Sequence, residues 1–169
     1  MNGERTNVTT AEGSEPRQFL TFRLADEDFG MELSKTREIL EYDGVTGVPL
    51  MPGFLSGVIN LRGEVVPIID LAVRLGRPAI EIKHRTCIVV IELESDGQKQ
   101  TLGLLADAVS EVTEIPEEDI EKAPAFGAKI RAEFIQGVAK KGSKFIVLLD
   151  ADKTLSMREL AKLVESEFE

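Results

Sequence analysis

An internal repeat constrains the fold of this chain more than any other feature. When the sequence is shifted against itself by 80 positions, residues 54–70 align with residues 134–150 without a gap. The two stretches share a Phe, a Gly-Val pair and an Asp at matching positions, and apolar residues meet apolar residues between them. We therefore predict two copies of one small β unit. Chance similarity between two apolar strands is the alternative.

Each copy reads as a β-hairpin, and the tip of the first hairpin stands out. Two apolar runs flank the sequence Asn60-Leu61-Arg62-Gly63. Asn and Gly tolerate positive φ angles in tight turns, so we expect them to bracket the reversal and leave Leu61 and Arg62 projecting. The second hairpin keeps the apolar scaffold, but its tip reads Lys140-Lys141-Gly142-Ser143. This difference indicates that the first tip is a contact site as well as a turn.

Short strands and glycine-rich turns recur along the rest of the chain. Residues 18–24 alternate between apolar and polar, which is the period of a strand. Residues 85–94 are continuously apolar in their central part, which indicates burial on both faces and a position shared between two lobes. The pattern predicts a mainly β protein made of two small β-barrels that pack together, with short helices.

We divide the chain into three parts. Residues 1–16 are polar and are expected to form a disordered leader, and residues 153–169 are expected to form a C-terminal amphipathic helix. Residues 17–152 between them form one domain of two pseudo-repeated barrels, at approximately 17–80 and 81–152. The sequence does not decide whether strands are exchanged between the barrels.

Composition excludes several classes of function. The formal net charge of −10 disfavours nucleic acid as a partner, because binding to phosphates needs a cationic face. Apolar runs are far shorter than the roughly 20 residues of a membrane helix, and the N-terminal residues lack the apolar core of a signal peptide. The lone cysteine, Cys87, fits a reducing compartment. We therefore expect a cytoplasmic protein with no membrane insertion.

The inventory of reactive side chains is poor. The chain has one His, one Cys and one Tyr, so no transition-metal cluster is expected, and His84 is interpreted as a surface residue. The acidic run 117–119 is interpreted as the start of a short helix rather than a cation site. A small acidic hydrolase that uses Asp70 or Asp150 is the enzymatic alternative, although both are expected to cap helices. No catalytic residue, metal or cofactor is predicted.

Residues 57–63 and 66–71 read Gly-Val-Ile-Asn-Leu-Arg-Gly and Val-Pro-Ile-Ile-Asp-Leu. These sequences resemble the most recognisable motif of the CheW family, the coupling adaptors of bacterial chemotaxis arrays. The resemblance extends over nearly the whole chain, from the strand at 18–22 through 37–40 to the connection at 126–137. It implies two SH3-like five-stranded barrels and no catalytic activity.

The resemblance also implies partners and site residues. It implies an adaptor that couples chemoreceptors, the methyl-accepting chemotaxis proteins, to the histidine kinase CheA. One barrel would bind the regulatory domain of CheA, and the groove between the barrels would take the cytoplasmic hairpin tip of a receptor. The protein would be a monomer in isolation and would be recruited to receptor arrays at the inner face of the membrane. The implied partner-binding residues are Glu38, Gly57, Arg62 and Gly63, with Thr36, Ile39 and Asn60 as their neighbours.

Three alternatives stay open at this point. The same fold could serve a non-flagellar chemosensory pathway, in surface motility or development. An ion pair between Arg62 and Glu38 could be purely structural, because exposed pairs often bind nothing. Gly57 could allow the close approach of another backbone, or it could mark a β-bulge.

Overall fold

The computed structural model describes residues 16–49, 53–95, 97–122 and 132–155. The prediction of a mainly β protein with few helices is confirmed, since eleven strands account for most of the described residues. The strands are β1 (Arg17–Leu24), β2 (Glu27–Glu32), β3 (Thr36–Glu41), β4 (Leu55–Leu61), β5 (Glu64–Asp70), β6 (Cys87–Ser95), β7 (Gln98–Ala106), β8 (Ala108–Ile115), β9 (Ile120–Glu121), β10 (Ile135–Lys141) and β11 (Lys144–Leu149). The helices are α1 (Leu71–Arg74) and α2 (Ala151–Thr154), with 3-10 turns at Leu33–Lys35, Glu117–Asp119 and Ala132–Phe134.

The strands form two sheets. Sheet A has six strands in the order β8-β1-β2-β11-β10-β9, and sheet B has five in the order β3-β6-β7-β5-β4. Sheet A exceeds the predicted five strands because the two-residue β9 pairs with Val138 and Ala139 of β10. The number of sheets therefore matches the two predicted barrels.

Strands are exchanged between the two copies of the repeat. The β1–β2 hairpin joins sheet A through the parallel pairing of β2 with β11, and the β6–β7 hairpin joins sheet B through the parallel pairing of β7 with β5. Each copy of the repeat therefore gives its first two strands to one sheet and its later strands to the other. The boundary near residue 80 separates the copies in sequence, but it does not separate the sheets.

The repeat seen in the sequence is also present in the backbone. The amide of Asp70 donates to the carbonyl of Phe54 at 2.7 Å, and the amide of Asp150 donates to the carbonyl of Phe134 at 2.8 Å. Both hairpins shift register at the same place, β4 just before Gly57 and β10 just before its counterpart glycine. The two copies therefore share these backbone hydrogen bonds and bulges as well as their apolar pattern.

The largest core cluster lies between the sheets and fixes them against each other. Phe22 of β1 and Ile91 of β6 are both fully buried in it. Phe19 of β1 faces the separate core of sheet A, and Val90 of β6 faces that of sheet B. Both strands are thus buried on two faces, which confirms the shared position predicted for residues 85–94.

Two predicted terminal segments fall mainly outside the described residues. Of the predicted leader 1–16, the structure describes only Pro16, which is exposed and lies outside regular structure. Of the predicted C-terminal helix 153–169, it describes residues 153–155, where α2 ends and Leu155 is its C-cap. None of the described helices has the length and hydropathy required to span a bilayer.

Candidate functional site

The tip of the first hairpin is a tight two-residue turn. Leu61 pairs with Glu64, which leaves Arg62 and Gly63 as the central residues. Their φ angles are 53° and 90°, the positive values that a type I′ turn requires. The side chain of Asn60 stabilises the turn, because its Oδ1 accepts a hydrogen bond from the Gly63 amide at 2.9 Å. Asn60, Arg62 and Gly63 therefore form one exposed unit.

The prediction that Leu61 projects with Arg62 is wrong. Leu61 is the last residue of β4, is half-buried, and packs against the core cluster of sheet B. The reversal lies one residue later than the Asn and Gly positions suggested, because Asn60 stabilises the turn through its side chain rather than through its own backbone angles. Only Arg62 of the pair is presented to solvent.

Arg62 is held by Glu38, as the sequence allowed. A nitrogen of the Arg62 guanidinium, Nη2, donates a hydrogen bond to Oε2 of Glu38, with 62% of the Arg62 side chain and 29% of the Glu38 side chain exposed. The hydrogen bond from Arg62 is the main cause that lowers the pKa of Glu38, and the same bond raises the pKa of Arg62. Glu38 therefore stays charged and orients the guanidinium.

This ion pair spans the open edge of sheet B. Glu38 lies on β3 and Arg62 follows β4, and these two strands are the opposite edges of the sheet. Beside the pair, a cavity of about 540 Å³ separates the edges, with Ile88 of β6 and Leu40 of β3 in its wall. Acidic side chains of Glu41 and Asp43 also line it. The ion pair between Arg62 and Glu38 thus links the two edge strands of sheet B.

Ile39 and Thr36 occupy different surroundings on β3. Ile39 is 46% exposed, which is high for a large apolar side chain in a strand. Thr36 lines a separate cavity of about 530 Å³ where the chain passes from sheet A to sheet B. The other residues that line this cavity are Arg17, Gln18, Glu32, Leu33 and Ser34. Thr36 therefore belongs to the groove between the sheets, and Ile39 belongs to the surface near the first tip.

Gly57 is buried, and both of its proposed structural roles are present. The β4 strand shifts register at this position, which marks a bulge. A Cβ atom added to Gly57 would lie 2.4 Å from the carbonyl oxygen of Thr46 and 2.9 Å from Cγ2 of Val45. The closely approaching backbone is therefore this chain's own, since Thr46 also exchanges two 2.9 Å backbone hydrogen bonds with Val58. Gly57 holds the loop that borders the 540 Å³ cavity.

Val65 is a surface residue that the sequence reasoning did not single out. It is 66% exposed and lies directly across from Asn60 in the hairpin. The signal was available, because the buried Val66 and Ile68 fix the inward face of β5 and the alternation of a strand then directs Val65 outward. Val65 extends the exposed surface at the first tip, which we call the first tip surface and define as Glu38, Ile39, Asn60, Arg62, Gly63 and Val65.

Arg17 forms a second polar site that the sequence did not predict. Its Nη2 donates to Oε2 of Glu32 and to Oε1 of Gln136, both at 2.7 Å, and Nη1 lies 3.4 Å from Oε1 of Glu117. Burial has the largest single effect on the pKa of Arg17 and lowers it, but the hydrogen bonds and charges of Glu32 and Glu117 together raise this pKa above its ordinary value. Arg17 borders the groove that contains Thr36. The residues of this network are distant in sequence, so no local motif could reveal it.

The two aspartates considered for catalysis cap helices. Oδ1 of Asp70 accepts from the amides of Ala72 at 3.1 Å and Val73 at 3.4 Å, and its Oδ2 accepts from Ile80 at 3.2 Å. Burial raises the pKa of Asp70, and these three hydrogen bonds oppose that effect. Asp150 accepts from the amide of Lys153 at 3.0 Å. Both carboxylates are therefore committed to backbone donors, as expected of N-caps.

The remaining reactive groups are dispersed. His84 is exposed, as predicted, and Cys87 is buried in β6, where burial raises the pKa of its thiol. Within the described parts of the chain, no three His, Cys, Asp or Glu side chains come together in a way that could hold a metal ion. What the described site offers is contact surface: an oriented cation, exposed apolar side chains and two grooves.

Comparison with known proteins relates the chain to one family. The profile of the CheW-like domain matches residues 18–159, which is most of the sequence. A chemotaxis protein CheW of Klebsiella aerogenes is 36% identical over 145 residues, covering 86% of this chain and 85% of the relative. A chemotaxis protein CheW of Treponema pallidum is 32% identical over 158 residues and covers 92% of both chains.

A solved structure and one further relative also match the chain. The crystal structure of a CheW scaffolding protein from Thermoanaerobacter tengcongensis matches with a TM-score of 0.72 at 33% identity, covering 82% of this chain and 87% of that one. Protein FrzA of Myxococcus xanthus is 32% identical over 147 residues and covers 86% of this chain. The fold predicted from the family resemblance is therefore confirmed by a solved relative.

Proposed function

The chain belongs to the CheW-like domain family, and we propose that it is a non-enzymatic adaptor that couples chemoreceptors to the histidine kinase CheA in chemotaxis signal transduction. The family match over residues 18–159 and the relatives named as chemotaxis proteins support this proposal. The solved relative is itself named a scaffolding protein, which supports the adaptor assignment. The adaptor has no reaction or cofactor of its own.

One observation carries the proposal, the exposed guanidinium on a rigid turn. Arg62 has five donors, and Glu38 occupies one of its nitrogens in the described structure. The remaining donors can form forked hydrogen bonds to a carboxylate or to the carbonyls at a helix end. Because the turn and the ion pair fix the side chain beforehand, a partner loses less conformational freedom when it binds.

We assign the partner-binding residues to two places. The first tip surface, with Glu38, Ile39, Asn60, Arg62 and Gly63, would meet one partner. The groove beside Thr36 is suited to a helical receptor hairpin, because it combines the half-buried Leu33 with polar walls. Gly57 would act indirectly, by holding the loop at Thr46 against β4.

The proposed setting of the adaptor follows from these partners. It would be cytoplasmic and recruited to receptor arrays at the inner face of the membrane, without inserting into the bilayer. It would bind the regulatory domain of CheA and the cytoplasmic hairpin tip of the receptor, and no nucleic acid. In isolation it would be a monomer.

Substitution of Arg62 tests the site. Arg62→Ala is expected to weaken binding to purified CheA or to a receptor cytoplasmic fragment by about tenfold or more in titration calorimetry, the size of effect of an interface hot spot. The melting temperature should stay at the wild-type value, because an exposed ion pair contributes little to folding.

Lys83→Ala is the matched control for this substitution. Lys83 is also an exposed cation in an ion pair, 3.5 Å from Oε1 of Glu81, and 70% of its side chain is exposed. It precedes β6 and is not one of the residues of the first tip surface, so its substitution should leave both affinities unchanged. Equal binding of both partners by Arg62→Ala and the wild-type protein would contradict the site assignment.

A second candidate is an adaptor of a non-flagellar chemosensory pathway, for surface motility or development. The similarity to protein FrzA supports this candidate, because FrzA is named neither as a chemotaxis protein nor as a CheW protein. Titration against each CheA-type kinase of the source organism separates the two candidates. Tightest binding to a kinase encoded beside flagellar chemotaxis genes supports the first, and tightest binding to another kinase supports the second.

A further inference from the structure

The tip of the second hairpin also carries a cation that pairs with a glutamate, although Lys141 occupies the position of Leu61 rather than that of Arg62. Lys141, at the end of β10, forms an ion pair with Glu111 of β8, and its Nζ donates to Oγ1 of Thr113 at 3.4 Å. β8 is an edge of sheet A, as β3 is an edge of sheet B. A cation at a hairpin tip is thus held to a glutamate of an edge strand in both copies.

The chemistry presented by the two tips differs. Phe145 occupies the position that Val65 has in the first hairpin, and it is 63% exposed. Its cross-strand neighbour is Lys140, where the first hairpin has the uncharged Asn60. The side chains of Lys140 and Lys144 are exposed, and neither side chain forms a salt bridge or hydrogen bond with another described residue. We call Lys140, Lys141, Lys144 and Phe145 the second tip surface.

This surface combines an exposed aromatic ring with positive charge in a protein whose net charge is −10. Lys140 and Phe145 face each other across the hairpin, so one partner group can contact both. An exposed Phe costs hydration free energy until it is covered, and the ammonium group of Lys140 on the same face of the hairpin favours a covering group of opposite charge. Lys144 adds positive charge at the same tip from the other face of the hairpin, where it lines a cavity with Asp28 and Glu111. Charge complementarity therefore selects an acidic ligand with an apolar side chain.

We propose that the second tip surface docks an acidic segment of a protein partner, with an apolar side chain of that segment covering Phe145. An anionic bilayer would offer this surface the same negative charge as an acidic segment, but it presents an extended negative plane to the whole acidic molecule. A short segment interacts only with charges within the Debye length of about 8 Å. This surface is separate from the first tip surface and from the groove beside Thr36, and it does not depend on either for its role.

A peptide titration tests the proposal on the full-length chain. The probe is a synthetic helix-forming peptide of about 16 residues, with Leu at i, i+3, i+4 and i+7 spacing and Glu on its other positions. In two-dimensional NMR of the isotope-labelled protein, we expect shift changes at the amides of residues 140–145, weakened by added salt. Phe145→Ser should reduce the peptide affinity about fivefold or more, and the double change Lys140→Glu with Lys144→Glu should abolish binding.

Ile82→Ser is the matched control, because Ile82 is also an exposed large apolar side chain, 47% accessible, and belongs to neither tip surface. It should leave the peptide affinity unchanged. Four outcomes would overturn the proposal. The first two are an absence of shifts at residues 140–145 up to millimolar peptide, and equal binding of a peptide with Lys in place of Glu. The third is binding of the protein to phosphatidylserine vesicles through these residues. The fourth is concentration-dependent shifts at the same amides without peptide, which would identify a second copy of the chain as the occupant. Because Phe145 and both lysines are exposed, unchanged signals elsewhere in the spectrum will verify the fold of each variant.

Discussion

Glu38 and Arg62 determine what the first tip surface presents to a partner. Their ion pair joins a residue of an edge strand to a residue of a turn, so it sets the direction of the guanidinium. Individually these are ordinary surface side chains. The tight turn fixes where the Arg62 side chain begins: Gly63 has a φ angle of 90°, and Oδ1 of Asn60 accepts a hydrogen bond from the Gly63 amide. The site is therefore a product of backbone geometry as much as of charge.

Titration of Glu38 tests the ion pair directly. Because the pKa of Glu38 is lowered in the folded protein, the pair is complete above the ordinary glutamate pKa of about 4.3 and is lost as the pH falls through the lower, folded-state value. We expect the side-chain carboxyl of Glu38 to titrate by NMR with a midpoint below about 4.3. Arg62→Gln should raise the midpoint toward the ordinary value, and Lys83→Gln should not change it. If the midpoint of Glu38 is the same in Arg62→Gln as in the wild-type protein, the ion pair does not form in solution.

The sequence predicted this site in part. The contribution of Arg62 followed from its place between a turn-forming Asn and Gly, which is local information. The orientation of Leu61 did not follow, because a one-residue difference in the position of the turn reverses which side chains face outward. The approach of Glu38 to Arg62 depends on the closure of sheet B, and single-sequence patterns carry no signal for it.

At the scale of elements, the two hairpins end in capped helical turns that pack together. Asp70 caps α1 and Asp150 caps α2, as the sequence predicted. Arg74 at the end of α1 donates from Nε to the carbonyl of Thr154 at 2.8 Å and lies over the ring of Phe134 at 4.7 Å. The short helices thus connect the two copies of the repeat through Arg74.

The two caps should differ in strength. Asp70 is buried and accepts three amide hydrogen bonds, whereas Asp150 is half-buried and accepts one in the described structure. Asp70→Ala would leave buried donors without an acceptor, so we expect a loss of about 2–3 kcal/mol in urea unfolding, against about 1 kcal/mol for Asp150→Ala.

Asp70→Asn is the control for the Asp70 prediction. Its amide oxygen can accept some of the same hydrogen bonds without a buried charge, so it should cost less than Asp70→Ala. Equal losses for Asp70→Ala and Asp150→Ala would indicate that the additional hydrogen bonds of Asp70 contribute nothing to stability.

At the scale of the whole molecule, exchanged strands make the two sheets interdependent. β1 and β6 each belong to the core of one sheet on one face and to the inter-sheet cluster on the other. The connections cross between the sheets after β2 and after β7. Neither copy of the repeat therefore contains a complete sheet.

This interdependence predicts a single unfolding transition. Tyr42 packs against the core of sheet B and is the only Tyr in a chain without Trp, so its fluorescence reports on that sheet. We expect its urea transition to coincide with that of far-ultraviolet circular dichroism, which reports on both sheets. A separate, earlier transition of Tyr42 would show that sheet B unfolds on its own.

The exchange of strands marks the limit of what the sequence could predict about the fold. The repeat, the strands and the two-faced burial of residues 85–94 followed from local patterns and were confirmed. Which hairpin pairs with which is decided by parallel contacts between distant strands, such as Ile68 with Gly103, and these leave no periodic signal. The family resemblance supplied the architecture that periodicity alone left open.

The central claim is that this chain transmits the state of a receptor to a kinase. The most direct test measures the autophosphorylation rate of CheA with a receptor cytoplasmic fragment, in the presence and absence of the full-length chain. We predict that the receptor changes the kinase rate only when the chain is present, and that Arg62→Ala removes most of this change while Lys83→Ala does not. A receptor effect of equal size without the chain, or no effect with it, would contradict the account.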